Sequence, residues 1–422
     1  MRLGMSSSPT PADPFPLHQA EFVGMMAALQ ALQALAIDAM LPALGVIARD
    51  LHLADANQRQ LVIGAFLISS GIGTLVPGAL ADRFGRRPVI LTALGAYVLC
   101  SVACALAGSF GQLLAARALM GVFTSAMLVM PMTILRDRFD GDRMARTQSL
   151  VSMIFMVVPM IAPVLGQGVL LFAGWRWIFG IMATVGVIVG IWAFLRLPET
   201  LREEFRQPIR PLAIAANMVA AFRVREAFGY FAGAAFVQAA LFGYINSSQQ
   251  IVGEHFGMGT LFPLVFGVMA LIMASTNFVN STIVVKFGAR RVSHTALPLY
   301  IAGALVHPTL AMRGEGFWTF AVLTTCSMCL MSFIGANFQA ISLQPFARFA
   351  GAAASAMSFV RVVVGASLGS LIGQAYDGSP RPVIAAMVAC GCVALALVLR
   401  SENGQLFRRV NPPGFYRNPP AH

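Results

Sequence analysis

Apolar runs of about twenty residues or more, parted by short polar stretches, recur twelve times, at about 20–47, 58–80, 88–108, 111–135, 147–172, 176–197, 226–252, 259–284, 292–312, 316–342, 350–374 and 380–400. Each is long enough to cross the hydrocarbon core of a bilayer as a helix. The pattern predicts an all-α membrane protein with twelve transmembrane helices and both termini on one side. The longest charged connector, 198–224, separates an N-terminal block, 20–197, from a C-terminal block, 225–400, with tails at 1–19 and 401–422. Blocks of such similar size predict two pseudo-symmetric six-helix bundles, as in an internally duplicated transporter. A local echo agrees: Phe84-Gly85-Arg86-Arg87 after span 2 is answered by Phe287-Gly288-Ala289-Arg290-Arg291 after span 8, with Val285 and Lys286 where an acid equivalent to Asp82 would stand.

Composition strengthens the membrane reading. The 422 residues are 58% hydrophobic and 11% charged, with a mean hydropathy of +0.75, too little charge for a water-facing surface. The formal charge of +12 raises the question of a nucleic-acid partner, and the placement of the basic residues answers it. Of 29 Lys and Arg, only Arg49, Arg59, Arg176, Arg313 and Arg381 fall on one face, Arg117 and Arg361 lie within spans, and the rest gather on the other face. By the positive-inside rule that basic face, with both tails, is cytoplasmic. The first nineteen residues lack the basic-then-apolar order of a signal peptide. The six cysteines sit in apolar runs without accompanying His or carboxylate ligands, so no metal is expected. No phosphate-binding loop or hydrolytic triad is evident, and neither ATP-driven transport nor an enzymatic activity is expected.

Against this background a few polar residues stand out. Asp38 is the sole acid placed well within a span, where an ionised carboxylate costs several kcal/mol unless paired, hydrated or protonated. Its alternative position is the outer interface, since Pro42 follows closely. Gln30, Ala34 and Asp38 share a helical face and are candidates to line an interior cavity. Arg117 in span 4 needs an acceptor because it keeps its proton; Asp38 is the expected partner, the alternative being a static strut. The tight, charged turn from Gly78 to Pro88 holds Asp82, Arg83, Gly85, Arg86 and Arg87 between two spans, with Gly78 expected to admit a neighbouring helix and Asp82 to pair with a basic residue or cap a helix end; its arginines could also be topology signals alone. Pro159, Pro163, Gly166 and Gly168 interrupt span 5 and should bend it or let it pack closely. Tyr244, Asn246, Gln249, Asn277, Asn337 and Arg361 are polar within spans of the second half. Each singly suits an interhelical hydrogen bond, and together with Met and Phe side chains they suggest a moderately polar cavity.

Several of these stretches carry a resemblance. Gly78, Leu80, Ala81, Asp82, Arg83, Gly85, Arg86 and Arg87 resemble the loop 2–3 signature of the major facilitator superfamily. Leu113, Arg117 and Gly121 resemble the span-4 motif of its proton-coupled drug exporters, and Asp38-Ala-Met-Leu-Pro42 the end of span 1 in the bicyclomycin- and chloramphenicol-resistance branch. Pro163 and Gly166 match the antiport motif of span 5, two of whose other glycines are replaced here. The GWRWIF at 174–179 and LPETL at 197–201 are similar to that branch's span-6 flanks. The resemblance implies a drug:proton antiporter of the bacterial inner membrane. It would use Asp38 and Arg117 for proton coupling, the Gly78–Arg87 loop as a latch that holds the cytoplasmic side shut, Gly121 and the polar residues above as cavity lining, and the proton as coupling ion with no cofactor. The expected partners are a small molecule, protons and the bilayer; a monomer is expected, and nucleic acid is not. A transporter dedicated to one metabolite, such as a siderophore or small organic acid, is the alternative, and a non-transporting receptor a more distant one.

Overall fold

Each apolar run folds into one helix or two in line, because a backbone in a bilayer must satisfy its own hydrogen bonds. The computed structural model describes residues 17–139, 141–201, 203–206, 219, 222–311, 316–346 and 350–408. Its long helices are α1 (Gln19–Asp38), α2 (Leu61–Gly73 and Pro77–Phe84), α3 (Arg86–Ala105), α4 (Phe110–Arg138), α5 (Gly141–Phe155 and Val158–Phe172), α6 (Arg176–Arg196), α7 (Arg225–Gln250), α8 (Phe262–Phe287), α9 (Ala289–Ala311), α10 (Phe317–Leu343), α11 (Ala350–Gln374) and α12 (Arg381–Ser401). Among the described residues, ten helices are long and apolar enough to cross a membrane, and the two parts of α2, meeting at 46°, form an eleventh span. α9, with 23 residues, takes the remaining place in the expected order. Residues 1–16 and 409–422 of the tails, most of the connector and Arg313 lie outside the described residues.

The break in α2 corrects the expected turn. Pro77, whose missing N–H is no loss in a first helical turn, restarts the helix after Val76, and that helix runs through Asp82 and Arg83 to Phe84. The reversal is a single residue, Gly85, at φ 102°, a conformation glycine reaches without a Cβ penalty. α3 begins at the next residue.

Two main cores form. One, in the first block, includes Phe22, Phe66, Tyr97 and Phe179 and extends to Phe262 and Phe266 of α8; the other, in the second block, includes Tyr230, Tyr300 and Phe338. Small residues bring helices together at equivalent positions in each half, at one constant offset along the chain. Gly64 in α2 meets Ser370 of α11, and its equivalent Gly267 in α8 meets Met160 of α5; Gly166 in α5 meets Ala39 of α1, and its equivalent Gly369 in α11 meets Phe242 of α7. The first pair joins the bundles and the second builds each bundle internally.

Candidate functional site: an intramembrane acid, a caged arginine and a sealed end

Asp38 ends α1 just before the 3-10 turn at Leu41–Ala43. It is 7% exposed, and among the described residues no hydrogen bond or ion pair reaches it. Gly166 of α5 lies directly behind it: a Cβ there would strike the Ala39 carbonyl and crowd Pro42. On the same face of α1, Ala34 is buried and Gln30 half-buried. The adjacent Gln33 donates to Ser70 of α2 at 3.2 Å.

Arg117 is fully buried, and its partner is not the expected Asp38. Its Nε donates to the Val62 carbonyl of α2 at 3.0 Å, one Nη lies 3.6 Å from Met120 Sδ, and the guanidinium sits 4.4 Å from the centroid of the Phe66 ring, a cation–π arrangement. The other Nη has no acceptor. The reason lies one turn along α4. Gly121 was expected to line the cavity, but it packs against α2 so tightly that a Cβ would collide with the Phe66 carbonyl and Ser69. This approach brings α2, with its backbone carbonyl and aromatic ring, to the arginine ahead of α1.

At the basic end, Arg86 is caged. It is 3% exposed; its Nη1 donates to Asp82 at 2.5 Å and its Nε to Asp137 at 2.9 Å. Glu199, beyond α6, accepts the backbone N–H groups of Arg86 at 2.8 Å and Arg87 at 3.2 Å, a carboxylate at the positive start of α3. Arg87 also donates to the Phe194 carbonyl at 2.7 Å, and Arg83 lies over its neighbour Phe84. All these partners belong to the first bundle, so among the described residues the expected latch makes no polar bond to the second. Gly78, expected to admit a helix, faces open space, as does Gly168 in α5.

The polar bonds between the bundles gather instead at the opposite end. Arg59 donates to Glu254 at 2.6 Å. Asn57 donates to the carbonyls of Gln374 at 3.1 Å and Tyr376 at 2.8 Å, and accepts from Gln250 at 2.8 Å. Gln60 donates to Gln250, whose carbonyl accepts from the Tyr376 hydroxyl of its own bundle at 3.3 Å. Outside this seal lies a vestibule of about 750 Å³, walled in part by Arg49, His52, Gln167 and Gln249. No equivalent polar seal exists among the described residues at the basic end.

The family model described as the Major Facilitator Superfamily matches residues 26–370. The chain belongs to that superfamily. It is 28% identical over 375 residues to the bicyclomycin resistance protein homolog of Haemophilus influenzae, an alignment covering 89% of this chain and 94% of the relative. It is 29% identical over 384 residues, 88% of this chain and 93% of the relative, to the multidrug resistance protein MdtL of Escherichia coli O6:K15:H31. Among solved structures it is similar to a bacterial homolog of the human lysosomal transporter Spinster in an inward-facing, unoccupied conformation, with a TM-score of 0.65 at 18% identity, over 93% of this chain and 96% of that one.

Of the other polar positions read from the sequence of this facilitator, Tyr244 donates to Met269 Sδ at 3.2 Å, and Asn337 donates to Asn280 at 2.9 Å and to the Phe333 carbonyl at 2.7 Å. These are bonds between or within helices rather than open cavity positions. Asn246 is 1% exposed, and both its amide atoms and Gln249 Oε1 lack partners, leaving unspent hydrogen-bonding capacity beside the seal. Asn277 and Arg361 are half-buried. Pro159 lies in the first turn of the second part of α5, after the break at Met156–Val157, and Pro163 is inside it. Sequence reasoning missed Asp137, Glu199, Asn57, Arg59, Gln60, Gln250 and Glu254. The available signal was the matching polarity of two span ends, Asn57 to Gln60 and Gln249 to Glu254, on the same side of the membrane.

Proposed function

We propose that this chain is a secondary active transporter that exports small, largely hydrophobic drugs in exchange for protons, by alternating access, across a bacterial inner membrane. Both termini would face the cytoplasm, where the positive-inside rule puts the basic end, and no cofactor or catalytic step enters the cycle. The names of the two relatives above support drug efflux, and the membrane-multipass fold supports transport. Asp38 carries the coupling: a carboxyl that is buried yet unpartnered is suited to hold a proton and to give it up when water or a cation arrives.

The polar bonds that join the bundles at the end opposite the basic face suit a conformation open to the cytoplasm. The separation of Asp38 from Arg117 suits the arm of the cycle in which Asp38 has taken a proton from outside. Release of that proton inside leaves a charge that favours substrate loading and the return outward, where the spare Nη of Arg117 offers it a partner. Proton and drug then bias one two-state equilibrium in opposite directions, as coupling requires. The test is export of a panel of fluorescent drugs, cationic, neutral and anionic, from proteoliposomes under an imposed pH gradient. Asp38→Asn should insert and fold as the wild type but show no gradient-driven export; equal transport by both would remove the proposal.

A further inference from the structure

Resting on that reading, the structure also points to the chemical class of substrate: we propose that Arg361 is the docking point for an anionic group, so that amphiphilic carboxylates or comparable anions are preferred over their neutral counterparts. Arg361 lies midway along α11, one turn before Gly365, which packs against Gln238 of α7. It borders a small cleft between α7, α10 and α11, with Phe231 and Met357 as its apolar side and Gln339, Ser342 and Ser358 as polar neighbours.

An arginine keeps its proton even in a membrane protein, and such a cation is paired, hydrated or used. Among the described residues the three buried arginines have partners: Arg59 has Glu254, Arg86 has Asp82 and Asp137, and Arg117 has a carbonyl and a ring. Arg361 forms no ion pair or hydrogen bond among the described residues. The second bundle has few acids to offer it: Glu254 is engaged at the sealed end and Glu402 with Arg290, while Glu226 starts α7 and Asp377 lies beyond α11. The guanidinium therefore presents a planar fork of donors, matched to a carboxylate, on the side from which cytoplasmic substrate would enter. The cleft, about 20 Å³, has room for a small charged head alone, so the apolar body of the ligand would lie outside it, between the two bundles. This division of labour, a fixed cation for the head and Met and Phe surfaces for the body, allows variety in shape with selection by charge.

The probe pair is dansyl-glycine and its methyl ester, alike in their fluorescent body and different in charge, titrated into the full chain in lipid nanodiscs without any gradient. The wild type should bind the acid roughly tenfold more tightly than the ester, or better, the value of a hydrogen bond to a charged group. Arg361→Gln should bring the ratio of the two affinities close to one, and Arg361→Lys should restore part of it, a rescue that a packing role alone would not give. An acid bound no more tightly than the ester by the wild type, or a preference that survives Arg361→Gln, overturns the inference. Because binding is read at equilibrium, a chain that shows the Arg361-dependent preference but no proton-driven export would remove the antiport reading and leave this one standing.

Discussion

The turns at Gly85 and Gly288 occupy equivalent places in the two bundles and are built to different ends. Both glycines lie at positive φ, 102° and 86°, and both turns are tied to a glutamate just after the sixth helix of their half. Glu199 accepts from the backbone at the start of α3, while its equivalent Glu402 accepts from Arg290 at 2.8 Å and the Tyr230 hydroxyl at 2.6 Å. Tyr230 in turn lies 2.8 Å from His294 Nε2, whose Nδ1 accepts the Phe407 N–H at 3.0 Å. These bonds of the second turn staple its own bundle and the segment after α12. The first turn has a surplus: a caged arginine and two acids where the second half has Ala289, Val285 and Ala340, with the Asp82 side chain half exposed. The same asymmetry runs through the membrane interior, where Asp38 and Arg117 are matched by Leu241 and Phe320. Duplication supplied a common scaffold, and at these equivalent positions the first half carries charges where the second has apolar residues.

The comparison can be broken most directly at Arg86. Arg86→Ala leaves Asp137 and Asp82 without their cation and should cost about 3 kcal/mol, read as a drop in the thermal midpoint of the purified protein. Arg290→Ala, which leaves one acid rather than two without its cation, should cost clearly less; equal losses would mean that the extra acids of the first turn contribute nothing. Next in size are the glycines. Gly85→Ala and Gly288→Ala each impose roughly 1–2 kcal/mol of left-handed strain, and Gly85→Ala should be the worse because its Cβ would strike the Glu199 carboxylate.

Removing one partner of the seal is a smaller perturbation with a different readout. Arg59→Ala should shift the equilibrium toward the outward-open state by about 1 kcal/mol, roughly fivefold, since Glu254 is half exposed and screened. The shift should appear as faster thiol labelling of a cysteine placed at Asn246, and a charge swap, Arg59→Glu with Glu254→Arg, should reverse much of it.

The smallest effect concerns pH at the second turn. Burial pushes the Glu402 carboxyl up, but hydrogen bonds from Tyr230 and Arg290 outweigh it and hold the group below the ordinary carboxylate range. A depressed value in the folded state means that the staple contributes fully above the ordinary glutamate range and is lost as pH falls through the folded value. Hydrogen exchange around Leu406 and Phe407 should therefore accelerate only in strong acid. In Glu402→Gln this step should vanish; an unchanged step would assign it elsewhere.

Much of this was legible beforehand, and the misses share a cause. Asp38 is conspicuous because it is an acid in an otherwise apolar run, and the turn glycine because of its arginines. The acceptor of Arg117 was not legible. Choosing the nearest acid by depth ignores how closely Gly121 lets α2 approach, and an open backbone carbonyl has no signature in the sequence. Asp137 and Glu199 read as ordinary loop charges, since nothing local marks them as partners of a residue far away along the chain. The seal residues looked like span ends for the same reason.

Hydropathy and charge along the chain determined the spans, the two bundles, the basic face and the solitary acid, because a helix in a bilayer satisfies its backbone alone and its placement depends on its own composition. Only the tertiary structure decided which groups hold Arg117 and Arg86, that Arg361 is left without a counter-charge, and which end of the molecule is shut. Those outcomes rest on contacts between helices distant in sequence, and on a balance between two sets of inter-bundle contacts to which no single segment holds the answer.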